Sequence, residues 1–368
     1  MIVTVEPEVR RIEARISDVV GGHGHKTNSR SGVELKLCAP DSLFGLGESS
    51  PLPGFSPETL TTAIMVLQSL DPFELCLPDD LNGVRPLLES LVTRVPADVP
   101  SARFAFEGAL LDLLGHHFGV SVATLLSAML SAPRQVTSRL TLSKLLPISD
   151  QSECLTVARR AWSRGYRVFK VKLGPAEELA KVLPTLGALR EKFGAELSLR
   201  FDPNGCWQPG VLEGALRALL PFEPELVEEP APVAALLEIP SSPVPLALDE
   251  SLLDPMALSK LVSHIDALKL KAVVLKPALH GLLRSVDLAI EAQNLGLDVI
   301  ITHLFDGAVG HATAICLALA VASPHRAQGL APHPGLLMTP HRRVSGLGLG
   351  EVWHENHPGL PLVEVGAC

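Results

Sequence analysis

From about residue 140 the chain settles into one rhythm: a short apolar run, a polar residue where it stops, then an amphipathic stretch. Apolar runs recur at 139–146, 167–173, 197–201, 226–227, 246–248, 272–275 and 299–301, with helical spacing at 152–164, 177–192 and 282–295. Strands apolar on both faces are buried on both faces, and their alternation with helices means parallel βα units. Seven or eight such units fit a (β/α) barrel better than an open sheet, and no G-x-G-x-x-G follows the first strand. The first hundred or so residues read differently. Short alternating stretches at 2–5 and 33–37 precede a turn-rich segment at 45–56 and helical patterns at 57–70 and 102–118, which together read as an α+β unit. Residues 21–31, with His23 and His25, form a loop without a core-facing period.

Composition narrows the function classes. With 47% hydrophobic and 19% charged residues the chain is globular, neither disordered nor a coiled coil. A net charge of −9 and 4% aromatics offer no basic field and few stacking platforms, so nucleic-acid partners are not expected. The longest apolar run, 312–323, is too short to span a bilayer, and residues 1–11 mix acids and bases unlike a signal peptide. Six cysteines lie far apart with no C-x-x-C, which suits a reducing, cytoplasmic compartment. His23 and His25 read as solvated, His116 and His117 as helix-end caps, and Trp162 and Trp207 as packing residues.

Nearly every run from the second onward ends in a charged or polar group: Lys170 and Lys172, then Asp202 and Asn204, Glu228 and Glu229, Asp249 and Glu250, Lys276, and Thr302 with His303. In an α/β barrel those strand ends meet at the active-site mouth. Asp202, Glu228 and Asp249 from three adjacent strands would repel one another without a cation, and hard oxygen ligands suit Mg²⁺, or Mn²⁺. Any one acid taken singly reads better as a helix cap than as a ligand; the set of three, bracketed by lysines, reads as a site. Lys170 and Lys172, two apart, share a strand face; like charge and desolvation make a lysine usable as a base near neutral pH. Lys276 would enter from the opposite side. A small-molecule carboxylate substrate follows: the metal chelates its carboxylate, a lysine removes the α-proton, and the metal stabilises the enediolate.

The order K-x-K, Asp-x-Asn, Glu-Glu-Pro, Asp-Glu-Ser and Lys-Pro over successive strands resembles the enolase superfamily, within its muconate-lactonizing subgroup. The segment 45–59, with Gly45, Gly47, Glu48, Ser50, Pro51, Pro53 and Gly54, is similar to that of the superfamily's o-succinylbenzoate-forming dehydratases. The resemblance implies a modified TIM barrel of (β/α)7β type at 121–334, an α+β capping domain at 1–120, and a C-terminal tail at 335–368 that returns to the cap. It implies Mg²⁺ on Asp202, Glu228 and Asp249, Lys172 as the base that then helps the hydroxyl leave, and Lys276 as the cation over the substrate ring. Lys170 would keep Lys172 deprotonated and touch the substrate carboxylate. Asn204, Arg200, Glu229 and Glu250 would orient ligands and lysines. Residues 50–55, including Ser50, Pro53 and Gly54, would close with 21–31 over the substrate tail. The implied reaction is syn-dehydration of 2-succinyl-6-hydroxy-2,4-cyclohexadiene-1-carboxylate to o-succinylbenzoate, a step of menaquinone synthesis.

Two features depart from that pattern. His303 ends strand seven, where close relatives carry small hydroxyl residues; a contact to the substrate's second carboxylate, or a structural role, is expected rather than a base. The Asp-x-Asp that dipeptide epimerases place on strand eight is absent from 328–333. Racemisation of N-acylamino acids and cycloisomerisation remain alternatives on the same machinery, with a Schiff-base aldolase or a barrel that only binds ligand further off. Oligomeric state is not legible.

Overall fold

The computed structural model describes residues 1–15, 29–130, 132, 134–332, 342–348, 350–354 and 357–364. Most of the loop expected at 21–31, with His23 and His25, lies outside these residues. His333, the tail at 335–341 and Cys368 lie outside them too.

An antiparallel sheet opens the chain. β1 (Ile2–Arg15), β2 (Ser29–Cys38), β3 (Phe44–Ser49) and, after α1 (Leu60–Gln68), β4 (Phe73–Cys76) stand in the order β3-β2-β1-β4. α2 (Val84–Leu91), α3 (Pro100–Phe118) and α4 (Val122–Ala128) follow. α3 is buried from Pro100 to Gly115 at every position but Arg103, so it packs against neighbours on nearly all sides. It lies so close to β3 that a Cβ on Gly47 would meet the Ala105 carbonyl oxygen at 1.8 Å. The glycines at 45 and 47 are thus explained by helix–strand contact. α3 ends at Gly119, in the left-handed conformation at φ 67°, so glycine rather than His116 or His117 provides the cap.

β5 (Arg139–Thr141) and β6 (Ser143–Leu146) split what the sequence presents as one run. The chain changes partners at Leu142, whose N–H donates to Gly350 at 2.8 Å. From β6 the units run α5 (Gln151–Ser163), β7 (Val168–Lys172), α6 (Leu179–Phe193), β8 (Ser198–Asp202), α7 (Pro209–Leu219), β9 (Leu226–Glu228) and α8 (Val233–Leu236). They continue through β10 (Leu246–Leu248), α9 (Ala257–Leu261), β11 (Leu270–Leu275), α10 (Pro277–His280), α11 (Leu282–Asn294), β12 (Asp298–Ile301) and α12 (Ala308–Val321). β6 to β12 form one parallel sheet in sequence order. The sheet closes at residues 328–329, where parallel bridges join Leu142 to Gln328 and Thr302 to Gly329. A brief eighth strand therefore completes a modified TIM barrel.

Inside the barrel the side chains form layers. At the floor Arg200 donates to both oxygens of Glu225 at 2.9 Å and to the Ala327 carbonyl at 2.7 Å; Arg326 joins Glu225 to Asp298. Above it Leu226, Ala247, Ala272, Val274 and Ile300 make a small apolar plug separate from the main core. The polar strand ends lie above the plug.

In the described tail, β13 (Arg342–Val344) pairs with β15 (Leu362–Glu364), and β14 (Glu351–Trp353) pairs antiparallel with β5. Leu360 N–H donates to Asp112 of α3 at 2.6 Å, and Val122 N–H donates to Gly359 at 3.0 Å, so the tail touches both α3 and α4. No helix among the described residues is long and apolar enough to cross a membrane.

Candidate active site

Parallel pairing in register places Lys172 beside Asp202 and, one strand further, Arg200 beside Leu226, so Asp202 and Glu228 share the inward face. Asp249 follows β10, two residues beyond Ala247, the register partner of Glu228. One oxygen from each of the three acids lies within 4.8 Å of the others, and all three side chains are buried. The strands carrying the lysines, β7 and β11, flank these three strands in the sheet order. The lysines therefore face one another across the carboxylates.

The polar groups interlock. Lys170 Nζ and Lys172 Nζ each lie 2.7 Å from Asp202 Oδ2; Lys170 also pairs with Glu228, and Lys172 donates to the amide oxygen of Asn204. Lys276 Nζ lies 2.5 Å from both Asp249 Oδ2 and Glu250 Oε1. Asn204 N–H donates to Asp202 Oδ1 at 2.9 Å and its amide donates to Glu250 Oε1 at 3.0 Å, linking the Lys172 side of the mouth to the Lys276 side. Glu229 accepts Asp249 N–H at 2.7 Å and Ser251 N–H at 3.2 Å, together with the Ser251 hydroxyl. Asn204 and Glu229 hold positive φ, 54° and 40°, which costs a non-glycine residue about 1–2 kcal/mol. The strand-end loops accept that strain where it orients Asp202 and Asp249.

Burial opposes the charge of Lys170, but Asp202, Glu228 and Asp249 outweigh it and hold the ammonium above the ordinary lysine range. Burial likewise opposes the charge of Lys276, and Asp249 and Glu250 prevail. Burial also opposes the Asp202 charge, and Lys170 with Lys172 keeps that carboxyl below its usual range. Asp249 is pushed up to about 8 by burial, which Lys276 does not offset.

The donor set fits a divalent cation. Three carboxylates converge, and the buried Asp202 Oδ2 is paired by charge without an aligned hydrogen bond, while Glu250 Oε2 beside it is buried with no hydrogen-bond donor. Oxygen-only ligands with open lone pairs suit a hard ion.

The remaining expected residues divide. Arg200 is a correction: its side-chain hydrogen bonds go to Glu225 and Ala327 at the floor, because it lies one inward position below Asp202 on β8. Ser50 is another: it is buried, its hydroxyl donates to Glu48 at 2.7 Å, and it belongs to a joint between the N-terminal unit and the barrel rather than to an exposed lining. Pro53 and Gly54 stand exposed at the tip of the same loop, with Gly54 at φ 83°. His303 follows β12; its Nδ1 accepts Phe305 N–H at 3.1 Å, so the neutral ring carries its proton on Nε2, and it stacks 4.7 Å from His311.

Two features escape sequence reasoning. Leu145 of β6 is the register partner of Lys170 and presents an apolar side chain, 37% exposed, on the same face. Arg30 and Glu48 tie the N-terminal unit to the loop after β12. Register and backbone acceptors remote in sequence leave no signature in spacing.

A closed parallel barrel with acids and lysines at the strand ends defines a class of enzymes. Residues 153–346 match the family described as "Enolase C-terminal domain-like", and the chain belongs to that family, within the enolase superfamily. It is 29% identical over 293 residues to an L-Lys-D/L-Arg epimerase of Methylococcus capsulatus, covering 78% of each chain. It is 28% identical over 258 residues to an o-succinylbenzoate synthase of Desulfotalea psychrophila, covering 68% of this chain and 67% of that one. Among solved structures, a muconate lactonizing enzyme of Pseudomonas fluorescens, complexed with muconolactone, superposes with a TM-score of 0.82 at 22% identity, over 98% of this chain and 96% of that one.

Proposed function

We propose that this enzyme removes the proton α to a substrate carboxylate, and that its reaction is the syn-dehydration of 2-succinyl-6-hydroxy-2,4-cyclohexadiene-1-carboxylate to o-succinylbenzoate in menaquinone synthesis. The observation that carries the chemistry is the placement of lysines on both flanks of a buried tricarboxylate. Asp202, Glu228 and Asp249 would hold Mg²⁺, with Mn²⁺ as a substitute. When bound, the ion supplies positive charge to the carboxylate whose electron density rises as the α-proton leaves.

Lys172 is the base in this reading. Its side chain is 30% exposed against 17% for Lys170, so a ligand in the mouth reaches it first. Its amine takes the α-proton and returns it to the departing hydroxyl on the same face, so that water is lost and the ring becomes aromatic. Lys170 and Lys276 stay charged and balance the negative charge building on the substrate oxygens. Residues 1–120 would close over the barrel, 121–334 carry the chemistry, and 335–368 tie the two together.

The substrate reading rests on the similarity to o-succinylbenzoate synthases and on residues 327–332, which contain no acid. An α-ammonium group placed among three lysines would find no carboxylate from that strand end, which argues for a substrate without one. The opposed lysines also favour a second reading, racemisation of N-acylamino acids, since one amine stands on each side of a planar intermediate. Turnover of the cyclohexadiene substrate, with and without Mg²⁺, tests the first. α-Proton exchange of N-succinylamino acids in D₂O without dehydration of the diene would select the second.

A further inference from the structure

Arg30 is 6% exposed and lies in the strand that opens the β2–β3 hairpin, far in sequence from the barrel. Its guanidinium donates to four backbone carbonyls: Pro51 at 2.7 Å, Leu304 at 3.0 Å, Phe305 at 3.2 Å, and Ser50. Two of these belong to the loop after β3 and two to the loop after β12, at the barrel mouth. Glu48 makes the reciprocal connection. It accepts the N–H groups of Gly307 at 2.5 Å and Gly310 at 3.0 Å, where α12 begins, and the Ser50 hydroxyl. A Cβ on Gly307 would lie 2.7 Å from Glu48 Oε2, so the first turn of α12 is shaped to admit that carboxylate. Asp306 faces the pair from the barrel side and holds Leu304 N–H at 3.1 Å.

Burying an arginine against carbonyls adds little net stability compared with apolar packing, but a rigid fork of donors fixes the relative placement of what it touches. The loop it fastens is compact, with Phe55 and Ser56 N–H both donating to the Leu52 carbonyl and Leu52 N–H donating to the Ser56 hydroxyl. The geometry points to Arg30, with Glu48, as a positioning residue: it fastens the loop 50–56 to the loop 302–306 and so holds one wall of the substrate cavity over the barrel mouth. Neither side chain touches the carboxylates or the lysines. Their effect is on substrate binding rather than on proton transfer, a part of the inference that rests on the chemistry proposed above; the fastening itself does not.

The test uses the full-length Mg²⁺-loaded chain and two variants, Arg30→Met and Arg30→Lys. Hydrogen exchange of amides at 50–56 and 304–307 should quicken by about tenfold or more in Arg30→Met and less in Arg30→Lys, whose ammonium cannot span four carbonyls. With the cyclohexadiene substrate, KM should rise about tenfold while kcat changes by no more than about threefold. Unchanged exchange in either segment overturns the fastening. Quickened exchange with unchanged KM, or a fall confined to kcat, overturns the positioning role. If the wild-type chain does not turn over the diene, that reading fails separately, and the same KM split is read on α-proton exchange of an N-succinylamino acid. If Arg30→Met does not fold, Arg30→Lys decides by the same criteria.

Discussion

Lys276 Nζ stands 2.5 Å from Asp249 Oδ2, on the side of the mouth opposite Lys172. Asp249 is only 2% exposed, so removing Lys276 leaves that carboxyl buried without its ammonium partner, and Glu250 loses the same partner. Lys276→Met should therefore lower the stability of the metal-free protein by about 3–5 kcal/mol. Mg²⁺ should restore part of that loss by supplying Asp249 with a new partner. Thermal melts with and without Mg²⁺ check both effects. Turnover of the loaded variant should fall by about 100-fold or more, since charge stabilisation at the developing anion is lost.

Lys172→Ala should reduce turnover by about 1000-fold or more, within the range for loss of a positioned general base, while Mg²⁺ binding stays close to wild type. Calorimetric titration of Mg²⁺ beside a turnover assay reads both. Retained dehydration by this variant would remove Lys172 from its role.

Glu107 gives a pH signature remote from the active site. This α3 carboxylate accepts the N–H of Leu282 where α11 begins; burial pushes it up to about 7, against those backbone hydrogen bonds. A carboxyl with a raised folded pKa contributes stability that is fully present below its unfolded value near 4.5 and is lost as pH rises through about 7. From pH 4.5 to 8 the wild type should lose about 3 kcal/mol through this group, a loss that Glu107→Gln lacks. Urea unfolding of both proteins at several pH values measures the difference, and parallel curves would exclude it.

Arg200→Met should destabilise the protein by about 3–5 kcal/mol, because Glu225 keeps only Arg326 at the barrel floor. Wherever the variant folds, its Mg²⁺ affinity should match wild type, since Arg200 makes no hydrogen bond to Asp202, Glu228 or Asp249. A selective loss of metal binding would return Arg200 to the site.

The barrel and the grouping of acids and lysines at its mouth were largely legible along the chain because both are written at short range. Parallel strands buried on two faces show as apolar runs, and the fold brings strand ends to one place, so Asp202, Glu228, Asp249, Lys172 and Lys276 could be assembled by counting strands. Lys170 and Lys172 share a face by the two-residue period alone. Height within the barrel was not legible. Arg200 and Asp202 share the inward face of β8, yet one closes the floor and the other opens the mouth, and only register against β7 and β9 separates them. The same holds for Leu145, whose exposure beside Lys170 depends on how β6 pairs. The joint between the two parts of the molecule was hidden for a further reason. Arg30, Glu48 and Glu107 act on backbone groups, which every residue possesses, so their partners at 304–305, 307 and 282 carry no mark in the sequence. Residue types and their periods determined which acids and lysines meet at the barrel mouth; close contact between segments remote in sequence decided how the N-terminal unit is held over them.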